Sequence, residues 1–208
     1  MRHVIPSEAQ HPPRGSTPSP IVGPDIQQSL LELARIALAV ATGRAEVSAL
    51  DRALERTRGG DGPGVVFVTL TEDGALRGCM GSLEPARSLL EAVVASAINA
   101  ALNDPRFLPV AAEELPAIHI EISVLGPPTS IADAGAFQPG VDGVVVERSG
   151  RRGLLLPEVA TEFSWAAPQM FDAVCRKVGL PADAWRDPRT RLRTFRTVRF
   201  GGPATNAH

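Results

Sequence analysis

One short segment combines the residues that nucleophilic chemistry at a thiol would need. In LRGCMGSL, residues 76–83, Cys79 follows Arg77 and Gly78 and precedes Gly81. Cysteine reacts as the thiolate, which nearby positive charge favours, and glycine lets a ligand approach the backbone because it has no Cβ. The alternative is structural, because free cysteines are often small buried hydrophobes and glycines also serve tight turns. The segment therefore predicts either a reactive thiol in a cleft or a packed turn.

A strand with clean alternation offers the catalytic partners of such a thiol. In AIHIEISVL the isoleucines share one face, and His119, Glu121 and Ser123 share the other. A carboxylate among isoleucines needs water, a donor or a cleft, because isolated burial of its charge is costly. We therefore predict His119 or Glu121 as the base that serves Cys79. The alternative for His119 is a half-buried strand histidine that bonds a neighbour.

The remaining motifs exclude several common classes of enzyme. The other three histidines, His3, His11 and His208, lie near the ends of the chain, which excludes a histidine-rich metal site within one chain. The sequence has no G-x-S-x-G elbow, no Walker-type phosphate loop and no G-x-G-x-x-G that opens a helix. The sequence therefore lacks the usual motifs of serine hydrolases and of enzymes that transfer phosphoryl groups or hydride from a nucleotide. We predict no metal site and name no cofactor.

Composition and charge indicate an ordinary globular protein. Of 208 residues 44% are hydrophobic and 21% are charged, and the formal net charge of -2 attracts neither nucleic acid nor an anionic membrane. No stretch approaches the roughly 18 apolar residues of a membrane helix, and the N-terminus lacks the apolar run of a signal peptide. Cys79 and Cys175 form no CxxC pair, which suits a reducing compartment. We expect a cytoplasmic protein with no membrane partner.

The chain divides into one ordered region and two tails. Residues 1–24 hold six of the 19 prolines and few large apolar groups, so this segment is predicted to be a disordered tail. Residues 201–208, GGPATNAH, have a similar composition and are predicted to form a flexible C-terminal tail. Residues 25–200 form the predicted domain.

The pattern of elements within that domain predicts the fold class. VVFVTL and ALRGCM read as a hairpin joined by TEDG, and a second hairpin is expected around Ser149 and Gly150. A largely apolar helical segment capped by Ser88 lies between the hairpins, and an amphipathic one opened by Pro168 follows the second. Hairpins interrupted by helices favour an α+β fold with a mainly antiparallel sheet flanked by helices.

The C-terminal stretch WRDPRTRLRTFRTVRF supports a different hypothesis. On a single strand Arg191, Arg193 and Arg199 would share one face with Phe195 between them. Basic residues with an interleaved aromatic can bind single-stranded nucleic acid. The alternative is a charged edge strand that resists aggregation. This stretch keeps open a module that binds RNA or a protein partner without turnover.

Several segments together resemble the AMMECR domain family. LRGCMGSL is similar to the LRGCIG signature of that family, with Met80 in place of isoleucine. Further segments agree in order from about residue 27 to residue 200: LLELARIALAVAT, FVTL, DPRF, IEISVLGPP, GLLLPEVA and CRKVGLPADAW. The resemblance implies an α+β fold with a larger and a smaller lobe, and it implies that the signature lines a cleft between them.

The resemblance also implies site residues and partners. It places seven residues at the cleft: Arg77, Gly78, Cys79, Gly81, Asp104, Arg106 and Glu121. Glu158 stands where many members carry glutamine, which would exchange a neutral donor for an acceptor at a ligand. His119 is not part of the family pattern. In prokaryotes such proteins often accompany a Memo-like protein and a radical SAM protein, in the AmmeMemoRadiSam system, and the family's reaction is not settled. On this basis Cys79 is the predicted nucleophile or attachment point, Arg77 would orient an anionic group, and amides near Gly81 would bind negative charge.

Overall fold

The computed structural model describes residue 20 and residues 22–205. Most of the predicted N-terminal tail, residues 1–24, lies outside the described residues, as do residues 206–208. In the described part of the chain no helix is long and apolar enough to cross a membrane. The described residues form two antiparallel sheets of four strands each, flanked by helices, which confirms the predicted α+β class.

The larger lobe contains a sheet with strand order β2-β1-β3-β8. Its elements, in chain order, are α1 (Pro24–Ala41), α2 (Val47–Arg56), β1 (Val65–Glu72), β2 (Ala75–Gly81), α3 (Leu89–Leu102), β3 (Ile118–Leu125) and β8 (Thr197–Pro203). Helix α3 packs on β1 and β2, and α1 packs on α3 and β3. Both helices therefore cover the same face of this sheet.

The smaller lobe contains a sheet with strand order β4-β7-β5-β6. Its elements are β4 (Thr129–Ser130), β5 (Gly143–Arg148), β6 (Arg151–Leu155), α4 (Pro157–Glu162), α5 (Ala167–Lys177) and β7 (Arg191–Phe195). The β5–β6 hairpin turns at Ser149 and Gly150, as predicted, with φ values of 51° and 76° that suit a primed turn. Short 3-10 helices lie at Ala112–Glu114, Ala134–Ala136 and Ala182–Arg186.

Side-chain alternation decides which face of the larger sheet stays open. Val66, Val68 and Leu70 of β1 are buried beneath the helices, whereas Phe67 and Thr69 lie on the opposite face and are only partly buried. An α-helix on one face and period-two alternation leave the second face free for polar groups. This second face carries the candidate site.

The two lobes touch through a separate apolar cluster at one end of that open face. Phe67 and Leu125 of the larger lobe pack with Val145, Leu154 and Phe195 of the smaller lobe. The remainder of the open face is polar and partly exposed. The arrangement matches the two lobes and the intervening cleft that the resemblance implied.

The end of the chain differs from the prediction. Strand β8 continues past residue 200, and Gly201 pairs with Glu121 while Pro203 pairs with His119. Ala204 is 5% exposed, and its N–H donates to the carbonyl of Ile118 at 2.8 Å. The prediction of a flexible tail is therefore wrong for residues 201–204. Glycine there reflects close packing, since a Cβ on Gly201 would lie 2.4 Å from a neighbouring backbone oxygen.

Candidate functional site

Cys79 lies on the edge strand β2, half-buried, on the face of the larger sheet that carries no helix. The register pairs Cys79 with Thr69, Thr69 with Glu121, and Glu121 with Gly201. Directly paired residues present their side chains on the same face of a sheet. These residues therefore form one row across the open surface, from the thiol at one edge towards β8 at the other. We call the whole open surface of this sheet the cleft face.

The two glycines beside Cys79 have different roles. A Cβ on Gly78 would lie 2.2 Å from the carbonyl oxygen of Ala100, so Gly78 allows α3 to pack directly on the strand. This corrects the expectation that Gly78 exposes its backbone to a ligand, because it faces the core. A Cβ on Gly81 would lie 2.5 Å from the ring of Phe67, and both residues line an open groove between the lobes. The Phe67 ring thus fills the space beside Gly81 that was expected to admit a ligand, and the open groove lies beyond it.

Two contacts hold Cys79 in position. The Thr69 hydroxyl donates to Sγ of Cys79 at 3.3 Å, and the backbone N–H of Cys79 donates to Oδ2 of Asp104 at 2.9 Å. The first contact places a hydrogen-bond donor on the sulfur, an arrangement that suits negative charge there. The second fixes the strand at the position of the thiol.

Asp104 anchors this end of the site and orients a cation. Its side chain is 2% exposed, and Arg106 donates to it through Nη2 at 2.6 Å, through Nε at 2.9 Å and through its backbone N–H at 3.1 Å. These bonds from Arg106, followed by the amide of Cys79, hold the pKa of Asp104 far below its usual range against the opposing effect of burial. The Arg106 side chain is 54% exposed and interacts electrostatically with Cys79. The structure brings both predicted residues to the cysteine, with Asp104 as the support.

Arg77 does not serve the cleft. Its guanidinium binds Glu114 through Nε at 2.6 Å and Nη2 at 3.0 Å, and Nη1 donates to the carbonyl of Leu108 at 2.9 Å. A β-bulge at this point of the β1–β2 pairing displaces Arg77 from the regular alternation. The expectation that Arg77 orients an anionic ligand is therefore wrong, because Glu114 and backbone carbonyls occupy the guanidinium.

Lys177 is the site residue that sequence reasoning missed. It ends α5 in the smaller lobe, lines the groove beside Gly81, and interacts electrostatically with Cys79. Much of the residue is exposed, but Nζ donates to the carbonyl of Leu154 at 3.1 Å. Burial of the ammonium, followed by the charge of Arg106, lowers the pKa of Lys177, while Cys79 acts in the opposite direction. Lys177 is the sole lysine among 21 basic residues, and that rarity was the available signal.

The other end of the cleft face carries two carboxylates that share one arginine. Arg199 Nε lies 3.3 Å from Oε2 of Glu121, and Arg199 Nη1 lies 3.9 Å from Oε1 of Glu158 on α4. Burial raises the pKa of Glu158; the charge of Arg199 opposes this effect and that of Glu121 adds to it. Thr69 separates Glu121 from Cys79 by two strand spacings, about 10 Å. The structure therefore places Glu121 and Glu158 together and away from the thiol.

His119 lies on the cleft face but in a different row. It is exposed, and it pairs with Thr71 on one side and Pro203 on the other. Cys79 instead pairs with Thr69. The geometry does not bring His119 to the sulfur, and the predicted alternative of a half-buried histidine does not fit its exposure either.

The predicted arginine surface is not formed. The chain changes sheets at Arg196, so Arg199 lies in the larger sheet while Arg191 and Arg193 lie in the smaller one. Phe195 is 1% exposed within the contact between the lobes and presents no ring for base stacking. Arg191 and Arg193 both approach Glu147, at 3.1 and 3.9 Å. The shared face expected for RNA binding is wrong, because the stretch is two strands and not one.

Comparisons with known proteins agree with this architecture. A protein of Methanothermobacter thermautotrophicus is 48% identical over 141 residues, which cover 65% of this chain and 73% of that protein. A protein of Thermococcus gammatolerans is 43% identical over 140 residues, which cover 62% of this chain and 68% of that protein. The crystal structure of the uncharacterized protein PH0010 from Pyrococcus horikoshii is similar with a TM-score of 0.75 and 34% identity, over 85% of this chain and 92% of that one.

The family model AMMECR1 matches residues 31–200. That range contains β1, β2, β3 and the part of β8 that carries Arg199, together with the LRGCMGSL segment and Cys79, while Gly201 at the end of the row lies just beyond it. The match therefore covers most of both lobes and, apart from Gly201, the residues of the candidate site. The chain belongs to the AMMECR1 family.

Proposed function

We propose that this protein is a cytoplasmic enzyme that uses Cys79 as a nucleophile towards an electrophilic carbon of a small molecule or protein substrate. The observation that carries the proposal is the position of the thiol. It is half-buried on an open face, it accepts a hydrogen bond from Thr69, and two cations from different elements lie within electrostatic reach. Cys175 differs in exposure, because it is 0% exposed in the core of the smaller lobe and burial raises the pKa of its thiol.

The chemistry that this site suits best is acyl transfer. The thiol proton passes to the neutral fraction of Lys177, which its lowered pKa enlarges, and the ammonium that results stabilises the thiolate. The sulfur attacks the acyl carbon, a C–S bond forms, and the bond to the leaving group breaks as Lys177 returns the proton to that group. Water then hydrolyses the thioester and restores the thiol. Arg106 stabilises the negative charge that develops on sulfur and on the acyl oxygen.

The far end of the cleft face binds the remainder of the substrate. Glu121 lies two strand spacings from Cys79, and Glu121 and Glu158 share Arg199 between two negative charges. This arrangement leaves carboxylate oxygens with unfilled capacity to accept hydrogen bonds. In this proposal Glu121 is a hydrogen-bond acceptor for the substrate and not the base.

The association implied by the family resemblance is part of the proposal. A Memo-like protein and a radical SAM protein would act in the same pathway and supply or consume the substrate. The cytoplasmic location is proposed from the cysteine usage, with one half-exposed and one buried free thiol and no pair.

Acylation with p-nitrophenyl acetate tests the nucleophile. Wild-type protein is expected to release p-nitrophenolate and to gain the mass of one acetyl group on the peptide that contains Cys79, since the activated ester needs no specific binding. Cys79→Ser should lose the adduct. Cys175→Ser, which removes the buried thiol, is the matched control and should keep it. An acetyl group that appears on Cys175, or p-nitrophenolate release that is the same in wild type and Cys79→Ser, would overturn the proposal.

A further inference from the structure

The groove between the lobes carries an excess of positive charge. It has a volume of about 530 Å³, and its lining includes Arg151, Arg152 and Lys177 from the smaller lobe together with Phe67, Gly81 and Leu83 from the larger. Cations converge there from two elements, the β5–β6 hairpin and the end of α5. A concave site with convergent polar groups and an aromatic wall is typical of ligand-binding pockets.

Most of the donors on these three cations are unused. In the described part of the chain each side chain makes a single hydrogen bond: Arg151 to the carbonyl of Gly179, Arg152 to Glu84 at 3.2 Å, and Lys177 to the carbonyl of Leu154 at 3.1 Å. The guanidinium and ammonium groups carry several N–H donors each. The remaining donors are therefore free to bind water or the oxygens of a ligand.

Arg152 shows most clearly that the described residues supply too few hydrogen-bond acceptors for these cations. Its Nε is buried, and no residue within 22–205 accepts its hydrogen. Its ionic partner Glu84 is 82% exposed, so that pair contributes little. A buried donor without an acceptor costs free energy, and the 31% of the Arg152 side chain that is exposed is the part that a ligand can contact.

The groove adjoins the thiol. Gly81 follows Cys79 by two positions on the same face of β2, a distance of roughly 7 Å along the strand. Lys177 lines the groove and also interacts with Cys79. A ligand seated on these cations would therefore present its neighbouring atoms to the sulfur.

We propose that this groove is an oxyanion subsite that holds a phosphate or carboxylate group of the substrate beside Cys79. Planar guanidinium groups match the geometry of such oxyanions, and the Phe67 ring offers an apolar surface to the adjoining part of the ligand. The inference names the substrate class of the proposed enzyme and in that respect rests on the proposed function, although anion binding itself does not require a reactive thiol.

Isothermal titration calorimetry of the full chain with inorganic phosphate, and separately with acetate, tests the subsite. We expect saturable binding of one anion or of both, and the comparison distinguishes a phosphate from a carboxylate preference. Arg152→Gln and Lys177→Met should each weaken binding by about tenfold, the effect of one lost charge-assisted hydrogen bond. Arg176→Gln is the matched control, because Arg176 precedes Lys177, is 66% exposed and pairs with Asp172 outside the groove.

The outcomes separate the two proposals. No binding of either anion by the wild-type protein, or an equal loss in Arg176→Gln, overturns the subsite even if Cys79 is acylated. Phosphate or acetate binding that survives in Cys79→Ser and falls in Arg152→Gln supports the subsite even if p-nitrophenyl acetate leaves the thiol unmodified.

Discussion

The two ends of the cleft face both combine carboxylates with arginines, but the carboxylates differ in how fully hydrogen bonds compensate their charge. At the thiol end Asp104 is buried and receives hydrogen bonds from Arg106 and from the amide of Cys79. At the far end Glu121 and Glu158 compete for Arg199, at 3.3 and 3.9 Å. The pKa of Asp104 is accordingly depressed, whereas that of Glu158 is raised by burial.

This difference distinguishes a carboxylate that stabilises the fold from carboxylates that can bind a ligand. A carboxylate with every lone pair engaged stabilises its surroundings and has little left for a ligand. A carboxylate that is desolvated and makes few hydrogen bonds destabilises the folded protein, and its oxygens remain available to a ligand. The face as a whole therefore has cations in excess beside Cys79 and anions in excess beside β8, a polarity that would orient a substrate with its oxyanion towards the thiol.

The largest expected effect follows from removing the saturated carboxylate. Asp104→Asn should lower the free energy of unfolding by about 2–3 kcal/mol, because it weakens the bidentate bond to Arg106 and the bond to the Cys79 amide. Since the folded-state pKa of Asp104 is depressed, its contribution is complete above the usual aspartate range and is lost as pH falls. Urea unfolding at neutral and acidic pH should show the gap between wild type and variant closing in acid.

Asp61→Asn provides the control for that comparison, because Asp61 is an exposed loop residue. It should change the free energy of unfolding by less than about 0.5 kcal/mol. A similarly small change in Asp104→Asn would show that Asp104 does not support the site.

A smaller effect of opposite sign is expected at the far end. Glu158→Gln should raise the free energy of unfolding at neutral pH by about 0.5 kcal/mol, because it removes a partly buried charge next to Glu121. The folded-state pKa of Glu158 is raised, so wild-type stability is lost as pH rises through that pKa, and the gain in the variant should vanish in acid. Urea titrations measure both.

Glu113→Gln, at an exposed position in a 3-10 helix, is the matched change of charge and should show no such pH dependence. If Glu158→Gln destabilises the protein at neutral pH, the contrast between the two ends is wrong.

Local sequence patterns predicted most of the fold and only part of the site. Hairpins, the cap at Ser88 and the alternation of β3 depend on neighbours in the chain, and the structure contains all three. The partners of Arg77 and the position of Lys177 depend on contacts across about 37 and 100 residues, which no local pattern encodes. The prediction of a single strand for the C-terminal arginines is wrong for the same reason, since the change of sheets at Arg196 follows from tertiary packing.

Alkylation of Cys79 in the native protein tests the central claim most directly. Iodoacetamide at neutral pH should label Cys79 in the folded chain and leave Cys175 unlabelled until urea unfolds the protein. Lys177→Met should slow the labelling of Cys79 by roughly fivefold, the factor for about 1 kcal/mol of lost charge stabilisation, whereas Arg176→Gln should not. If Cys79 reacts only after unfolding, together with Cys175, the thiol is a structural residue and the account of a catalytic cleft is contradicted.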